Sequence, residues 1–281
     1  MRVLITGASG GVGSTLIDQL RHTGVDVRAT CRRPNPRRWP WLETFPGDLD
    51  QPRTLRPALE GVDAVFLVSF APPEVLPELV EHMATAGVHK VVVLSTIDTT
   101  RTEPFVAYNK QRHLAVEDAA IDGGFTTVCL RPGAFARNAI RFWANHIRAH
   151  RRVGLPFPES HQAPIADQDI AAVALHALTT SQLDEQKVVL TGPESLTMRE
   201  QVGLIGRAIS QSIDITVLPE PQARALYGRV LPPRYLDLLM AQWAFEVTEP
   251  AVVTQAVPSI TGRPAITFGE WAVSHRDAFV N

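Results

Sequence analysis

Over its first 135 residues the chain alternates two patterns. Short unbroken apolar runs are separated by longer stretches in which apolar positions recur every three or four residues. The runs at 3–6, 25–31, 64–69, 90–95 and 126–130 read as strands. The stretches at 11–22, 53–59, 74–86 and 104–121 read as helices. Strands apolar on both faces, each followed by a helix, predict a parallel sheet covered on both sides. Right-handed crossovers then bring the C-terminal end of every strand to one edge, where ligands bind.

Beyond Arg131 the pattern loosens. A helix is expected over 136–150, followed by a proline-rich stretch at 155–158. Residues 167–178 form a helix with an acidic start, and 187–190 a further strand. A helix over 197–210 is opened by Thr197 with Glu200 three residues on, the spacing of a capping box. Residues 222–245 read as one or two helices broken by Leu231-Pro232-Pro233. Thr191-Gly192-Pro193 and Thr261-Gly262-Arg263-Pro264 read as turns. The expected division is a dinucleotide-binding core at 1–135 and a mixed part at 136–281. The second part completes the sheet and forms a small cap over the substrate.

Composition narrows the function classes. With 281 residues and 45% apolar side chains the chain can bury a large core, and its net charge of −2 gives no basic face for nucleic acid. Only three of the 27 basic residues are lysines, a bias we attribute to coding composition. Cys31 and Cys129 lie in apolar runs without metal-ligand spacing, so they are expected as buried free thiols in a reducing cytoplasm, with no metal. A strand begins at once after Met1, leaving no room for a signal peptide, and no run of about 18 apolar residues offers a membrane span.

The strongest motif is Thr6-Gly7-Ala8-Ser9-Gly10-Gly11-Val12-Gly13, between the first strand and the first helix. Gly7 permits a tight turn and Gly10 lets backbone approach a pyrophosphate at the helix N-terminus. Gly13 lets helix and sheet pack closely. Together with the strand–helix alternation this predicts an α/β fold of Rossmann type, a doubly wound parallel sheet binding a dinucleotide. An NAD site places an acid about 20 residues on, for the ribose 2′-hydroxyl. Here the second strand ends Cys31-Arg32-Arg33-Pro34, with no acid. Either arginine suits a 2′-phosphate, so NADP(H) is the expected cofactor.

The chain resembles the NmrA-like branch of the atypical short-chain dehydrogenases/reductases. The resemblance rests on the glycine loop, Arg32-Arg33-Pro34, Gly47-Asp48-Leu49, Gly61 to Phe66, Val91 to Ser95, Leu130 to Phe135 with Asn138, Asp169-Ile170-Ala171 and Leu190 to Pro193. It implies that Asp48 and Leu49 flank the adenine and that Ser69 and Phe70 line the cofactor groove. It also implies that Pro132, Gly133, Ala134 and Phe135 pass the nicotinamide. Arg131 and Asp169 read better as members of buried ion pairs or as helix caps than as catalytic groups.

Typical short-chain reductases pair a Ser or Thr with Tyr-x-x-x-Lys on one helix, the spacing that sets both side chains on one face. Ser95 and Thr96 stand where the first member belongs. The helix that follows reads Tyr108-Asn109-Lys110-Gln111-Arg112-His113, ending at Glu117, and departs from that rule. One register pairs Tyr108 with Arg112, which is a poor proton reservoir. The other takes Glu117 as its mark, placing Asn109 where tyrosine belongs and His113 where lysine belongs, with Tyr108 rotated by about 100°. In that register His113 binds a ribose, donates a proton, or is an ordinary surface histidine.

The favoured function is an NADPH-dependent reductase of a ketone or quinone. Phe142, Trp143, Tyr227, Tyr235, Trp243 and Phe245 offer an apolar lid for a bulky aromatic carbonyl substrate, or form ordinary core. NmrA-like relatives that reduce polycyclic secondary metabolites, the chemistry of antibiotic biosynthesis, imply this substrate class by analogy. The alternatives are a non-catalytic NADP(H) sensor that binds a regulatory protein, kept alive by the missing Tyr-x-x-x-Lys pair, and a reductase of imines or alkenes. The expected state is a monomer or homodimer.

Overall fold

The computed structural model describes residues 1–35, 38–68 and 71–280. The chain opens with β1 (Arg2–Ile5), α1 (Gly11–Leu20), β2 (Asp26–Cys31) and β3 (Glu43–Pro46). Next come α2 (Arg56–Leu59), β4 (Ala64–Val68), α3 (Leu76–Thr85), β5 (Lys90–Leu94), α4 (Ala107–Asp122) and β6 (Thr126–Pro132). These strands pair in parallel in the order β3-β2-β1-β4-β5-β6, and a seventh, β9 (Lys187–Leu190), closes the far edge against β6. Register runs Ile5 to Ala29 on one side and Ile5 to Phe66 on the other. Strand order reverses between β1 and β4, so the chain winds outward in both directions from a switch point there.

Alternation along each strand explains the two layers. Val3, Ile5, Ala64, Phe66, Val92 and Leu94 face one side, packed with Leu16, Ile17 and Leu20 of α1 and with α6 (Asp167–Thr179). Leu4, Val65, Leu67, Val91 and Val93 face the other, packed with Leu59, Leu79, Met83, Val116 and Ala120 from α2, α3 and α4. β3 is absent from the sequence expectation for a physical reason. It is a half-exposed edge strand, Glu43-Thr44-Phe45-Pro46, with no apolar run, held by its ladder and an Arg28–Glu43 ion pair of 2.8 Å.

A third core lies in the C-terminal part. It joins α5 (Asn138–His150), α7 (Met198–Ala208), α8 (Glu220–Tyr227), α9 (Pro233–Phe245) and α11 (Phe268–Ser274). Two small ladders support it, a parallel one between β7 (Arg152–Leu155) and β11 (Asp214–Val217), and an antiparallel one between β8 (His161–Gln162) and β10 (Leu196–Thr197). The expected capping box at Thr197 and Glu200 is present. A second one, Thr267 with Glu270, opens α11, and α10 (Ala256–Thr261) ends on Gly262 at φ +71°. Cys129 is buried and free, whereas Cys31, expected to be buried, is only partly so because it ends β2 at the open sheet edge. Among the described residues no helix is long and apolar enough to cross a membrane, and no cluster of His, Cys, Asp or Glu could hold a metal ion.

Candidate functional site

Parallel pairing puts the ends of β1, β2, β4, β5, β6 and β9 on one edge, and the glycine loop sits there at the switch point. Thr6 is buried and ties the neighbouring strands together. Its hydroxyl donates to Phe66 O at 2.9 Å and accepts from Val68 N–H at 2.9 Å. Gly7 adopts φ +63°, open to glycine at little cost, and accepts from Gly10 N–H at 2.9 Å. A Cβ at Gly13 would stand 2.5 Å from the Gly7 carbonyl oxygen, so glycine there is a packing requirement. Gly10 and Ser9 are exposed, and Val12 is buried beneath the loop. The first helical bond runs from Ser14 N–H to Gly10 O, so the N–H groups of Gly11, Val12 and Gly13 precede it and point out of the helix end.

Arg32 and Arg33 are exposed just past the end of β2, beside this loop, and no carboxylate ends the strand. Asp48 organises a turn: its Oδ1 accepts from Asp50 N–H at 3.2 Å and its own N–H donates to Thr54 Oγ1 at 2.9 Å. Leu49 packs half-buried against the core. Ser69 and Phe70 lie outside the described residues. Pro132 ends β6. Gly133 N–H then donates to Leu190 O at 2.8 Å, Ala134 O accepts from Ile165 N–H at 2.8 Å, and Phe135 bridges to Ile165. That segment is therefore tied across the edge by backbone bonds to β9 and to Ile165.

The other end of the edge is built from side chains. Glu117 is fully buried and receives the Ser95 hydroxyl at 2.5 Å and two bonds from Arg131, at 3.0 and 2.5 Å. Ser95 thus spends its proton inside the fold. The Thr96 hydroxyl accepts from Asp98 N–H at 3.3 Å and keeps its own proton to donate. On α4 the inward face carries Asn109, His113 and Glu117, one turn apart, which is the second of the two registers read from sequence. Asn109 Nδ2 donates to Asp98 Oδ2 at 2.7 Å. His113 is buried, and burial first, then the Arg112 charge, pushes its pKa down to about 4, so it is neutral near pH 7. Tyr108 points outward, half exposed, with the Arg234 and Arg112 guanidinium groups 5.0 and 5.9 Å from its ring centre. Lys110 donates to Arg101 O.

Two side chains that the sequence reading did not single out as polar site groups join this corner. Asp98 follows β5 and is buried, and its desolvation holds its pKa above the usual carboxylate range. Among the described residues its Oδ1 makes no hydrogen bond. Tyr235 of α9 has a part-exposed ring, but its pKa is raised by burial and then by the Asp98 charge, with Arg141 pulling the other way. Only tertiary structure joins positions 98, 109 and 235. The aromatic set expected to form a lid divides. Trp143, Tyr227 and Trp243 are buried core, with Tyr227 5.3 Å from Trp243, whereas Tyr235 and Phe245 keep exposed faces. Phe245 packs on Phe105 beneath Arg101, which pairs with Glu103 and Glu246. Arg131 pairs with the fully buried Glu117, and the buried Asp169 pairs with Arg263, whose own side chain is exposed.

A family model described as NAD(P)H-binding matches residues 7–181. The chain is 32% identical over 283 residues to (4-alkanoyl-5-oxo-2,5-dihydrofuran-3-yl)methyl phosphate reductase of Streptomyces griseus, covering 99% of each chain. It is 30% identical over 293 residues to the NAD(P)H azoreductase of Xenophilus azovorans, again covering 99% of each. In three dimensions it is similar to the Citrobacter sp. triphenylmethane reductase complexed with NADP(H). That likeness has a TM-score of 0.78, covers 98% of this chain and 100% of that one, and at 16% identity speaks for the fold alone.

Proposed function

The chain belongs to the NAD(P)H-binding family, and on that premise we propose that it is an NADPH-dependent oxidoreductase that reduces the ketone or quinone of a bulky aromatic small molecule. The observation that carries the reading is its likeness, over nearly its whole length, to two proteins named as reductases. NADPH is favoured over NADH because β2 ends without a carboxylate and beside two exposed guanidinium groups. The glycine loop fits such a ligand: Gly13 packs on Gly7 with no room for a Cβ, and the N–H groups of Gly11 to Gly13 have no acceptor within the helix.

Bound NADPH supplies the hydride. The N–H groups of Gly11 to Gly13 would hold its pyrophosphate and Arg32 and Arg33 its 2′-phosphate, Asp48 and Leu49 would flank the adenine, and the segment from Pro132 to Phe135 would wall the reacting end. Thr96 donates a hydrogen bond to the substrate oxygen. The proton that this oxygen takes up as the carbon–hydrogen bond forms is assigned to Asp98, whose pKa burial raises and whose Oδ1 bears no hydrogen bond among the described residues, and solvent replaces it. Ser95, Glu117 and Arg131 fix the end of β5, and His113 stands one turn before Glu117 on the inward face of α4, neutral near pH 7. Tyr235 and Phe245 offer the apolar rim for an aromatic substrate.

NADPH consumption with a panel of quinones, polycyclic ketones and azo dyes tests the reading. Turnover is expected, with the highest kcat/KM on an aromatic carbonyl. Turnover confined to azo dyes would keep the oxidoreductase and reject the carbonyl. A non-catalytic NADP(H) sensor is the second reading, favoured by the inward face of α4, which carries Asn109 and His113 in place of a tyrosine–lysine pair. Tight NADPH binding with no turnover across the panel selects it.

A further inference from the structure

One ion pair outside the proposed mechanism stands against the glycine loop. Arg137, the N-cap of α5, donates from Nε to Asp167 Oδ2, at the first position of α6. The Asp167 side chain is 3% exposed and its Oδ1 is buried without a partner, while the Arg137 side chain is 46% exposed. Among the described residues the two terminal Arg137 nitrogens hold no hydrogen bond. The pair lies directly on Gly11, the first residue of α1. A Cβ there would fall 2.6 Å from Arg137 Nε and 2.9 Å from the Asp167 carboxyl carbon. Gly11 is therefore glycine to make room for this pair, a reason separate from the turn at Gly7 and the packing at Gly13.

This arrangement poses an electrostatic problem. A pyrophosphate at the N-terminus of α1 would meet a buried carboxylate beside the N–H groups that attract it. A guanidinium solves it, because its planar fork can hold a carboxylate with one N–H and an anion with the others. We propose that Arg137 is a pyrophosphate-binding residue that bridges Asp167 and the dinucleotide. The inference rests on the cofactor reading above and adds a residue to it. Arg137 begins α5, whose Trp143 packs in the C-terminal core with Tyr227 and Trp243. Through it, cofactor occupancy bears on the part of the chain proposed to cap the substrate.

Fluorescence titration of the purified protein with NADPH and with NADH tests this without any substrate. Arg137→Gln should raise the Kd of both dinucleotides about tenfold or more, because both carry the pyrophosphate. Arg137→Gln/Asp167→Asn should bind several-fold better than Arg137→Gln, because the bare carboxylate is gone, while staying weaker than wild type. A purely structural pair would not give this ordering at equal folded content by circular dichroism. Unchanged Kd in folded Arg137→Gln, or equal Kd in the single and double variants, would overturn the proposal. If the single variant does not fold, the double one decides: several-fold weaker binding supports the bridge and wild-type binding refutes it. Wild-type protein that binds neither dinucleotide would overturn both the proposal and the cofactor reading beneath it.

Discussion

The two ends of one sheet edge are built in different ways. Around β1 and β2 the candidate site is backbone: a left-handed Gly7, a Gly13 with no space for a Cβ, and helix N–H groups without acceptors in the helix. Around β5, α4 and α9 it is side chains from distant positions, with Ser95, Glu117 and Arg131 locked together and Asp98 bonded to Asn109, its charge felt by Tyr235. The first end is suited to a ligand shared by a large family, since backbone and a helix dipole recognise phosphate whatever else is attached. The second end is suited to one chemistry, because each polar group there depends on its neighbours. Substitutions should therefore act on cofactor affinity at the first end and on turnover at the second.

The largest expected effect is at the backbone end. Gly10→Val should weaken NADPH binding by more than about a hundredfold while leaving Tm within a few degrees. Among the described residues the Cβ meets only the Gly7 oxygen, at 3.2 Å, but it fills the approach to the pyrophosphate. Calorimetric titration beside a melting curve checks both halves, and retained affinity would reduce the loop to a turn. Arg32→Ala should weaken NADPH about tenfold or more and NADH by less than about threefold, since only one carries the 2′-phosphate. Equal losses would remove the basis for NADP(H) preference.

At the side-chain end, Asp98→Asn should lower kcat by roughly a hundredfold with little change in NADPH affinity, the size of lost acid assistance. Tyr108→Phe, on the outer face, should change kcat less than about threefold. A dead Tyr108→Phe that still binds NADPH would reverse this assignment and restore a tyrosine acid.

The smallest effect is on stability. With His113 lowered from 6.5 to about 4 in the folded state, the unfolded chain takes the proton first. Stability from this group is complete above about pH 6.5 and is lost as pH falls toward 4, about 2 kcal/mol of it by pH 5. Asp98, Asp169 and Glu246 are raised and act with the opposite sign, so the difference between wild type and His113→Asn isolates the histidine. Denaturant unfolding at pH 7.5 and 5 should show a smaller drop for the variant, and equal drops would place the histidine in water.

The contrast also explains what could be read from the sequence. The parallel sheet, the glycine loop and the strand ends were legible because strand alternation and glycine spacing are local. The inward face of α4 was legible as one of two registers, since Asn109, His113 and Glu117 repeat every four residues. What was not legible depends on long-range packing: the edge strand β3, the commitment of Ser95 to Glu117, the Asp98–Asn109–Tyr235 corner, and the Arg137–Asp167 pair on Gly11. The aromatic residues of the C-terminal part could not be divided between core and rim by pattern alone, because Trp143 and Phe245 look alike in sequence and differ only in what covers them. The capping box at Thr267 and Glu270 was readable and marks α11, a helix the apolar pattern did not reveal.

The central claim is that this sheet edge carries out a reduction with NADPH, rather than only binding it. The most direct measurement follows NADPH oxidation and product formation together, with purified protein and an aromatic ketone or quinone from the panel, in parallel with NADH. One mole of reduced carbonyl is expected for each mole of NADPH oxidised, with a lower kcat/KM for NADH. Saturable NADPH binding with neither oxidation nor product, for every carbonyl offered, would contradict it.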